Sequence, residues 1–145
     1  MNIYFACSIT GGRQDEIAYQ AIVEALLTDG HTVPTAHLSQ PDALALEAIA
    51  IPPEIYSRDI AWIEECQVLI AEVSTPSHGV GYEIAYALSI GKPVLCCYRE
   101  GKRVSKMITG NTHPNITVRS YQTPMRAVAI VKIFLDDMHK ITQYI

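Results

Sequence analysis

The segment from Ser74 to Glu83, STPSHGVGYE, combines hydroxyl groups, glycines and one carboxylic acid. An apolar run over 67–73 precedes it and an apolar helical pattern over 83–90 follows it, so we predict a strand, a loop and a helix in that order. Glu83 then lies in the first turn of a helix at the carboxyl end of a buried strand, where open α/β sheets bind ligands. The helix dipole stabilises an ionised acid there, and the preceding serines and glycines can donate hydrogen bonds to an anion.

Three acids are candidates for chemistry, and two of them also have an ordinary structural explanation. Glu83 is either a nucleophile or an acid that stabilises the first turn of its helix. Asp59, which follows Arg58 on a predicted helix, borders the buried stripe and could be a surface acid paired with that arginine. Glu72 ends the predicted strand. Two facing carboxylates suit cleavage of a glycosidic bond, because one attacks the anomeric carbon while the other manages the proton of the leaving group.

The elements that position these acids alternate along the chain. The predicted strands cover 2–7, 31–36, 67–73, 93–98 and 115–120, and the predicted helices cover 13–28, 53–66, 80–90 and 124–141, with a helical turn at 105–109. This alternation indicates a parallel sheet with right-handed crossovers. We therefore expect an α/β, flavodoxin-like (Rossmann-like) three-layer sandwich with a five-stranded parallel sheet, order 2-1-3-4-5, as a single domain over 1–145. The long connection over 38–52 could hold a short helix, and connections of that length are often functional.

Three predicted strands end at the same crevice in this topology. The first ends in SITGGR over 8–13, the third in STPSHG over 74–79, and the fourth in the basic segment YREGKR over 98–103. Two turns rich in serine and glycine beside a basic segment are typical of a site for a phosphate-bearing ligand. The first turn has neither the GxGxxG of dinucleotide-binding domains nor the lysine of a P-loop, and Gly79 and Gly81 could instead serve close packing of the helix on the sheet.

Charge, apolar runs and the spacing of cysteines and histidines disfavour several classes of protein. The 145 residues are 49% hydrophobic with a net charge of −4, which disfavours duplex nucleic acid as a partner. No apolar run approaches the ~20 residues of a membrane span, and a strand pattern begins at residue 2 where a secretory signal would lie. The four cysteines have no C-x-x-C spacing and lie in apolar runs, and the five histidines have no ligand spacing. We expect buried reduced thiols, a cytoplasmic location, no metal and no cofactor.

Three segments, in the same order, resemble the nucleoside 2-deoxyribosyltransferase-like superfamily, and in particular its 2′-deoxynucleoside 5′-phosphate N-hydrolase branch. They are YFACSITGGR, IYSRD and AEVSTPSHGVGYEIAYAL, and the resemblance runs from residue 3 to about residue 120. It implies a homodimer that cleaves the bond between base and sugar in a 2′-deoxynucleoside 5′-monophosphate. The products would be a free nucleobase and 2-deoxyribose 5-phosphate.

The resemblance also implies roles for individual residues. Glu83 would be the nucleophile, Asp59 would assist the leaving base and orient the sugar, and Tyr4 would face the sugar and the nucleophile. Ser105 would reach the phosphate in the partner subunit's site. The implied substrate-binding set is Ser8, Ile9, Gly11, Arg13, His37, Ser77, Gly79, Ser105 and Met107, with His37 beside the base and with Ser77 and Gly79 holding the 5′-phosphate.

Ser77 separates the two main branches of the superfamily. The deoxyribosyltransferases carry an acid six residues before the nucleophile, which suits a free 5′-hydroxyl, whereas a serine can donate to a phosphate. Thr10 departs from the arginine of the animal hydrolases, and Arg13 could substitute for it. Base exchange by a transferase, hydrolysis of ribonucleotides such as CMP, and a non-catalytic nucleotide sensor remain alternatives.

Overall fold

The computed structural model of the protein describes residues 1–143, and a parallel sheet lies at its centre. Its strands are β1 (Ile3–Ala6), β2 (Val68–Glu72), β3 (Val94–Arg99) and β4 (Ile116–Tyr121), paired in the order β1-β2-β3-β4. Every residue of β1 and β2 is buried, as expected for parallel strands that are covered on both faces.

Helices cover the two faces of the sheet and give three layers. They are α1 (Glu16–Thr28), a 3-10 helix (Ala36–Ser39), α2 (Ala43–Ile49), α3 (Pro52–Glu65), α4 (His78–Ser89), α5 (Lys106–Thr109) and α6 (Pro124–Gln143). One core cluster joins the sheet to α1 and α6, and a second joins the opposite face to α3 and α4. Within the described residues, no helix is long and apolar enough to cross a bilayer.

The prediction of five strands in the order 2-1-3-4-5 is wrong. In the segment 31–36, only Thr32 pairs with the sheet, through one parallel bridge to Asn2. Pro34 has no N–H to donate to a ladder, and the Phe5 N–H donates to the hydroxyl of Thr35 (3.0 Å) rather than to a backbone carbonyl. The chain then turns into the 3-10 helix, so the sheet has four strands in the order 1-2-3-4.

A buried acid joins the carboxyl ends of β2 and β4. Glu72 is fully buried and accepts hydrogen bonds from the Ser74 hydroxyl, the Ser74 N–H (3.3 Å) and the Tyr121 hydroxyl (2.9 Å). Burial raises the pKa of Glu72 to about 7, although the bonds from Ser74 and Tyr121 oppose that rise. The third candidate acid therefore supports the loop that follows β2.

We expect the substitution Glu72→Gln to reduce the dependence of stability on pH. Between pH 4.5 and about pH 7 the folded protein retains a proton on Glu72 that the unfolded chain releases. This acid therefore lowers stability as pH rises, by at most about 1.4 kcal/mol per pH unit. Urea unfolding at pH 5 and pH 8 should show a smaller loss of stability in the variant than in the wild type. The exposed Glu24→Gln substitution is the control, and an unchanged loss in Glu72→Gln would contradict the assignment.

Candidate active site

Tyr4 and Glu83 meet between β1 and α4. Side chains alternate along β1, so Ile3 and Phe5 face α1 and α6 while Tyr4 faces α3 and α4. The fully buried Tyr4 donates its hydroxyl to Glu83 Oε1 at 2.8 Å. This bond fixes the orientation of a half-buried carboxyl group one turn into α4.

The surroundings of Glu83 bring the pKa of its carboxyl group close to neutral pH. Burial, reinforced by the negative charges of Asp59 and Glu47, raises the pKa of Glu83 to about 7. The hydrogen bond from Tyr4 and the charge of Arg58 act in the opposite direction. Glu83 is therefore substantially ionised at neutral pH in a poorly solvated position, which suits a carboxylate nucleophile.

Asp59 lies on α3 and belongs to the same electrostatic cluster. Arg58 Nε donates to Asp59 Oδ1 at 2.8 Å, and the Arg58 guanidinium also donates to Glu47 Oε1 at 3.0 Å. Burial raises the pKa of Asp59, which Arg58 opposes and Glu47 reinforces. A carboxyl group with a raised pKa can hold a proton and give it to a leaving group.

His37 and Trp62 border this acid cluster. His37 lies in the 3-10 helix with Nε2 at 3.7 Å from Glu47 Oε1, and its ring lies edge-on to Trp62 with the ring centres 6.1 Å apart. The Arg58 guanidinium lies over the Trp62 ring, 4.8 Å from its centre. The sequence resemblance predicts that His37 lies beside the base.

A cavity of about 1040 Å³ lies on the other side of the first turns of α4. Four residues of the predicted binding set line it, namely Gly11, Ser77, Ser105 and Met107. Tyr4, Asp59 and Glu83 are not among its lining residues. The predicted catalytic residues and these four binding residues thus form separate groups, and α4 contributes Glu83 to the first group and is capped by Ser77 of the second.

The N-terminus of α4 presents hydrogen-bond donors from its backbone and from Ser77. Ser77 is the N-cap, and its hydroxyl oxygen accepts the Val80 N–H at 3.4 Å, which leaves the hydroxyl proton free to donate. Gly79 is exposed in the first turn. Gly11 lies beneath this loop, and a Cβ atom there would stand 2.3 Å from the Pro76 carbonyl oxygen, so the close approach of the two loops requires glycine.

The remaining predicted residues lie in the loop after β1. Ser8 is buried, and its hydroxyl has no hydrogen-bond partner within the described residues. Ile9 packs partly buried against the core. The Arg13 guanidinium donates to the carbonyls of Ser8 (3.2 Å), Leu38 (2.7 Å) and Gln40 (2.8 Å). Arg13 therefore ties this loop to the 3-10 helix and its C-cap residue Gln40, while the exposed Thr10 lines the cavity.

A comparison with protein families now places the chain. The family model described as nucleoside 2-deoxyribosyltransferase matches residues 3–128. The chain belongs to the nucleoside 2-deoxyribosyltransferase family. The resemblance carried by the three sequence segments is thereby confirmed.

Named relatives within this family act on nucleotides. The chain is 39% identical over 119 residues to a protein of Methanococcoides burtonii named as a 2′-deoxynucleoside 5′-phosphate N-hydrolase, covering 82% of this chain and 98% of that protein. It is 41% identical over 127 residues to the 5-hydroxymethyl-dUMP N-hydrolase of Danio rerio, covering 84% and 87%. The structure of a CMP N-glycosidase from Clostridium botulinum superimposes with a TM-score of 0.70, at 20% identity over 91% of this chain and 98% of that one, and it shows the shared fold.

Glu47 belongs to the charged cluster around Asp59, and it was not among the residues predicted from the sequence. This acid lies on α2, inside the long connection, and its carboxylate is only 13% exposed. No spacing in the sequence links it to Arg58, because the contact depends on how the connection folds back over α3. The signals in the sequence were the length of the connection and the alanine and leucine content of residues 42–49, which could support a short helix.

Proposed function

We propose that this protein hydrolyses the N-glycosidic bond of 2′-deoxynucleoside 5′-monophosphates to a free nucleobase and 2-deoxyribose 5-phosphate. The observation that carries this proposal is the Glu83 carboxyl group, held by Tyr4 at 2.8 Å just behind the Ser77-capped end of α4. The relatives named as N-hydrolases of deoxynucleoside monophosphates support the same reaction. This agrees with the function predicted from the sequence.

The chemistry assigns one role to each of the two acids. Ionised Glu83 attacks the anomeric carbon, and the base departs with the bonding electrons while it takes a proton from Asp59. The result is a glycosyl ester on Glu83. Water then attacks the same carbon, gives its proton to the Asp59 carboxylate, and releases the sugar phosphate with Glu83 again ionised. The Tyr4 hydroxyl holds the nucleophile in place through both steps.

The 5′-phosphate is assigned to the end of α4. The Ser77 hydroxyl, the free N–H groups of the first turn and the positive end of the helix dipole all favour an anion there. Arg103 and Lys106 line the adjoining cavity. Because the nucleophile lies one turn further along the same helix, the phosphate and the anomeric carbon can be held by one rigid element.

We propose further that the protein is a cytoplasmic homodimer. Tyr56 on α3 and Tyr82 on α4 are both exposed and pack edge-on at 6.2 Å, and Met107 on α5 is 83% exposed. Paired helix surfaces of this kind support self-association, and an exposed Ser105 beside Met107 can then reach the partner's phosphate. A monomeric mass by equilibrium sedimentation, or recovery of the protein outside the cytoplasm, would contradict the respective proposal.

A product assay tests the reaction directly. We expect the protein to release free base from 2′-deoxynucleoside 5′-monophosphates, measured by chromatography, and to do so faster than from the matching ribonucleotides or unphosphorylated deoxynucleosides. A second free base in the reaction tests for base exchange. Formation of an exchanged nucleotide in place of 2-deoxyribose 5-phosphate would favour a transferase, and nucleotide binding without turnover would favour a sensor.

A further inference from the structure

A chain of charged groups adjoins Asp59, and the mechanism above does not use it. Arg58 donates to Asp59 Oδ1 at 2.8 Å and to Glu47 Oε1 at 3.0 Å, and the same Glu47 oxygen lies 3.7 Å from His37 Nε2. The side chains of Glu47 and Asp59 are only 13% and 16% exposed. The chain connects the 3-10 helix, α2 and α3 beside the candidate nucleophile.

One guanidinium here serves two carboxylates. An arginine that paired with Asp59 alone would favour the ionised form of this acid, and an ionised Asp59 has no proton for a departing base. Glu47 takes part of the hydrogen bonding of Arg58, and its own negative charge disfavours ionisation of Asp59. Glu47 therefore offsets the tendency of Arg58 to keep Asp59 ionised.

We propose that Glu47 is a positioning residue for the hydrolysis: by holding Arg58, it keeps Asp59 able to donate a proton to the departing base. This inference rests on the proposed function. Glu47 itself is given no contact with the substrate, and it acts through Arg58.

The charged and titratable groups around Asp59 come from every element of the cluster. Arg58 on α3 and, when protonated, His37 favour the ionised acid, while Glu47 on α2 disfavours it. Asp59 also acts through its charge on Glu83 of α4 and Tyr4 of β1. Among these groups Glu47 and Arg58 are the pair whose removal changes the balance at Asp59 in opposite directions.

The test compares Glu47→Gln and Arg58→Gln with the wild type on two substrates. One is a 2′-deoxynucleoside 5′-monophosphate, whose base needs a proton, and the other is 4-nitrophenyl 2-deoxyribose 5-phosphate, whose leaving group does not. We expect Glu47→Gln to move the basic limb of the kcat profile to lower pH by about one unit. At a pH above the basic limb of the wild-type profile, we expect it to lower kcat for base release roughly ten-fold while kcat for the nitrophenyl substrate stays within about two-fold.

Arg58→Gln should shift the pH profile in the opposite direction to Glu47→Gln. Because it removes the positive partner of Asp59, we expect the basic limb to move to higher pH. This variant keeps the inference testable if Glu47→Gln does not fold. The exposed Glu54→Gln on α3 is the matched control and should leave both profiles unchanged.

The outcomes separate this inference from the proposed function. Suppose that the wild type releases base, and that Glu47→Gln loses activity equally on both substrates or leaves the basic limb unmoved. The ion pair then only connects α2 to α3, and this inference alone is overturned. Failure of the wild type to release base from any monophosphate would overturn the proposed function and the inference with it.

Discussion

Glu83→Gln should abolish base release, with kcat lowered by at least about 10³-fold. The amide has nearly the shape of the carboxyl group, and its oxygen can still accept the Tyr4 hydroxyl that Glu83 Oε1 accepts at 2.8 Å. The site therefore keeps its geometry and loses only the atom that forms the bond to the anomeric carbon. The measurement is steady-state release of base from a deoxynucleoside monophosphate, followed by chromatography.

Two controls make this result specific to the nucleophile. Glu65→Gln, an exposed acid at the end of α3, should retain wild-type turnover. Calorimetric titration should show that Glu83→Gln still binds the monophosphate, because its phosphate site is intact. Near-wild-type turnover in Glu83→Gln would rule out attack by this residue.

The pH dependence of the wild-type enzyme follows from the same residue. Burial raises the pKa of Glu83 to about 7, and only the ionised form can attack. Protonation of Glu83 as pH falls below about 7 should therefore reduce activity at low substrate concentration. Burial raises the pKa of Asp59, and ionisation of Asp59 should reduce activity because the departing base then has no proton donor.

Ser77→Asp should lower kcat/KM for deoxynucleoside monophosphates by about 100-fold, equivalent to ~2.7 kcal/mol. Ser77 caps α4 and lines the cavity beside Gly11, so a carboxylate there would repel the 5′-phosphate. Aspartate is itself a good N-cap, so the helix should remain folded. Unphosphorylated deoxynucleosides should be affected much less, and the ratio of the two kcat/KM values reports the change in preference.

Ser77→Asn isolates the charge from the size of the side chain. Asparagine caps helices as well as aspartate does and carries no charge, so this variant should retain much more activity on monophosphates. Equal losses in the Asp and Asn variants would place the phosphate elsewhere, and an unchanged preference in Ser77→Asp would contradict its assignment to the end of α4.

Local sequence patterns were sufficient to predict the element that carries the nucleophile. A run of apolar residues, a turn rich in serine and glycine, and a second apolar run at helical spacing predicted Glu83 in the first turn of a helix. The structure has that helix at His78–Ser89, so it begins two residues earlier than predicted and Glu83 lies one turn into it. The N-cap at Ser77 also depends on neighbouring residues alone. Backbone hydrogen bonding and apolar periodicity act over a few residues, which is why a sequence reports them well.

Contacts between distant segments decided what the sequence could not. The segment 31–36 has a β-rich composition, yet Thr35 accepts the Phe5 N–H and the expected strand is reduced to one bridge. Likewise Glu47 reaches Arg58 only because α2 folds back over α3. The sequence by itself determined the family and singled out Glu83 and Ser77 as candidate site residues, whereas the edge of the sheet and the charges around Asp59 were decided by tertiary structure. Both depend on single hydrogen bonds or ion pairs between different elements, 30 residues apart for Phe5 and Thr35 and 11 for Glu47 and Arg58, and these leave no periodic pattern in the sequence.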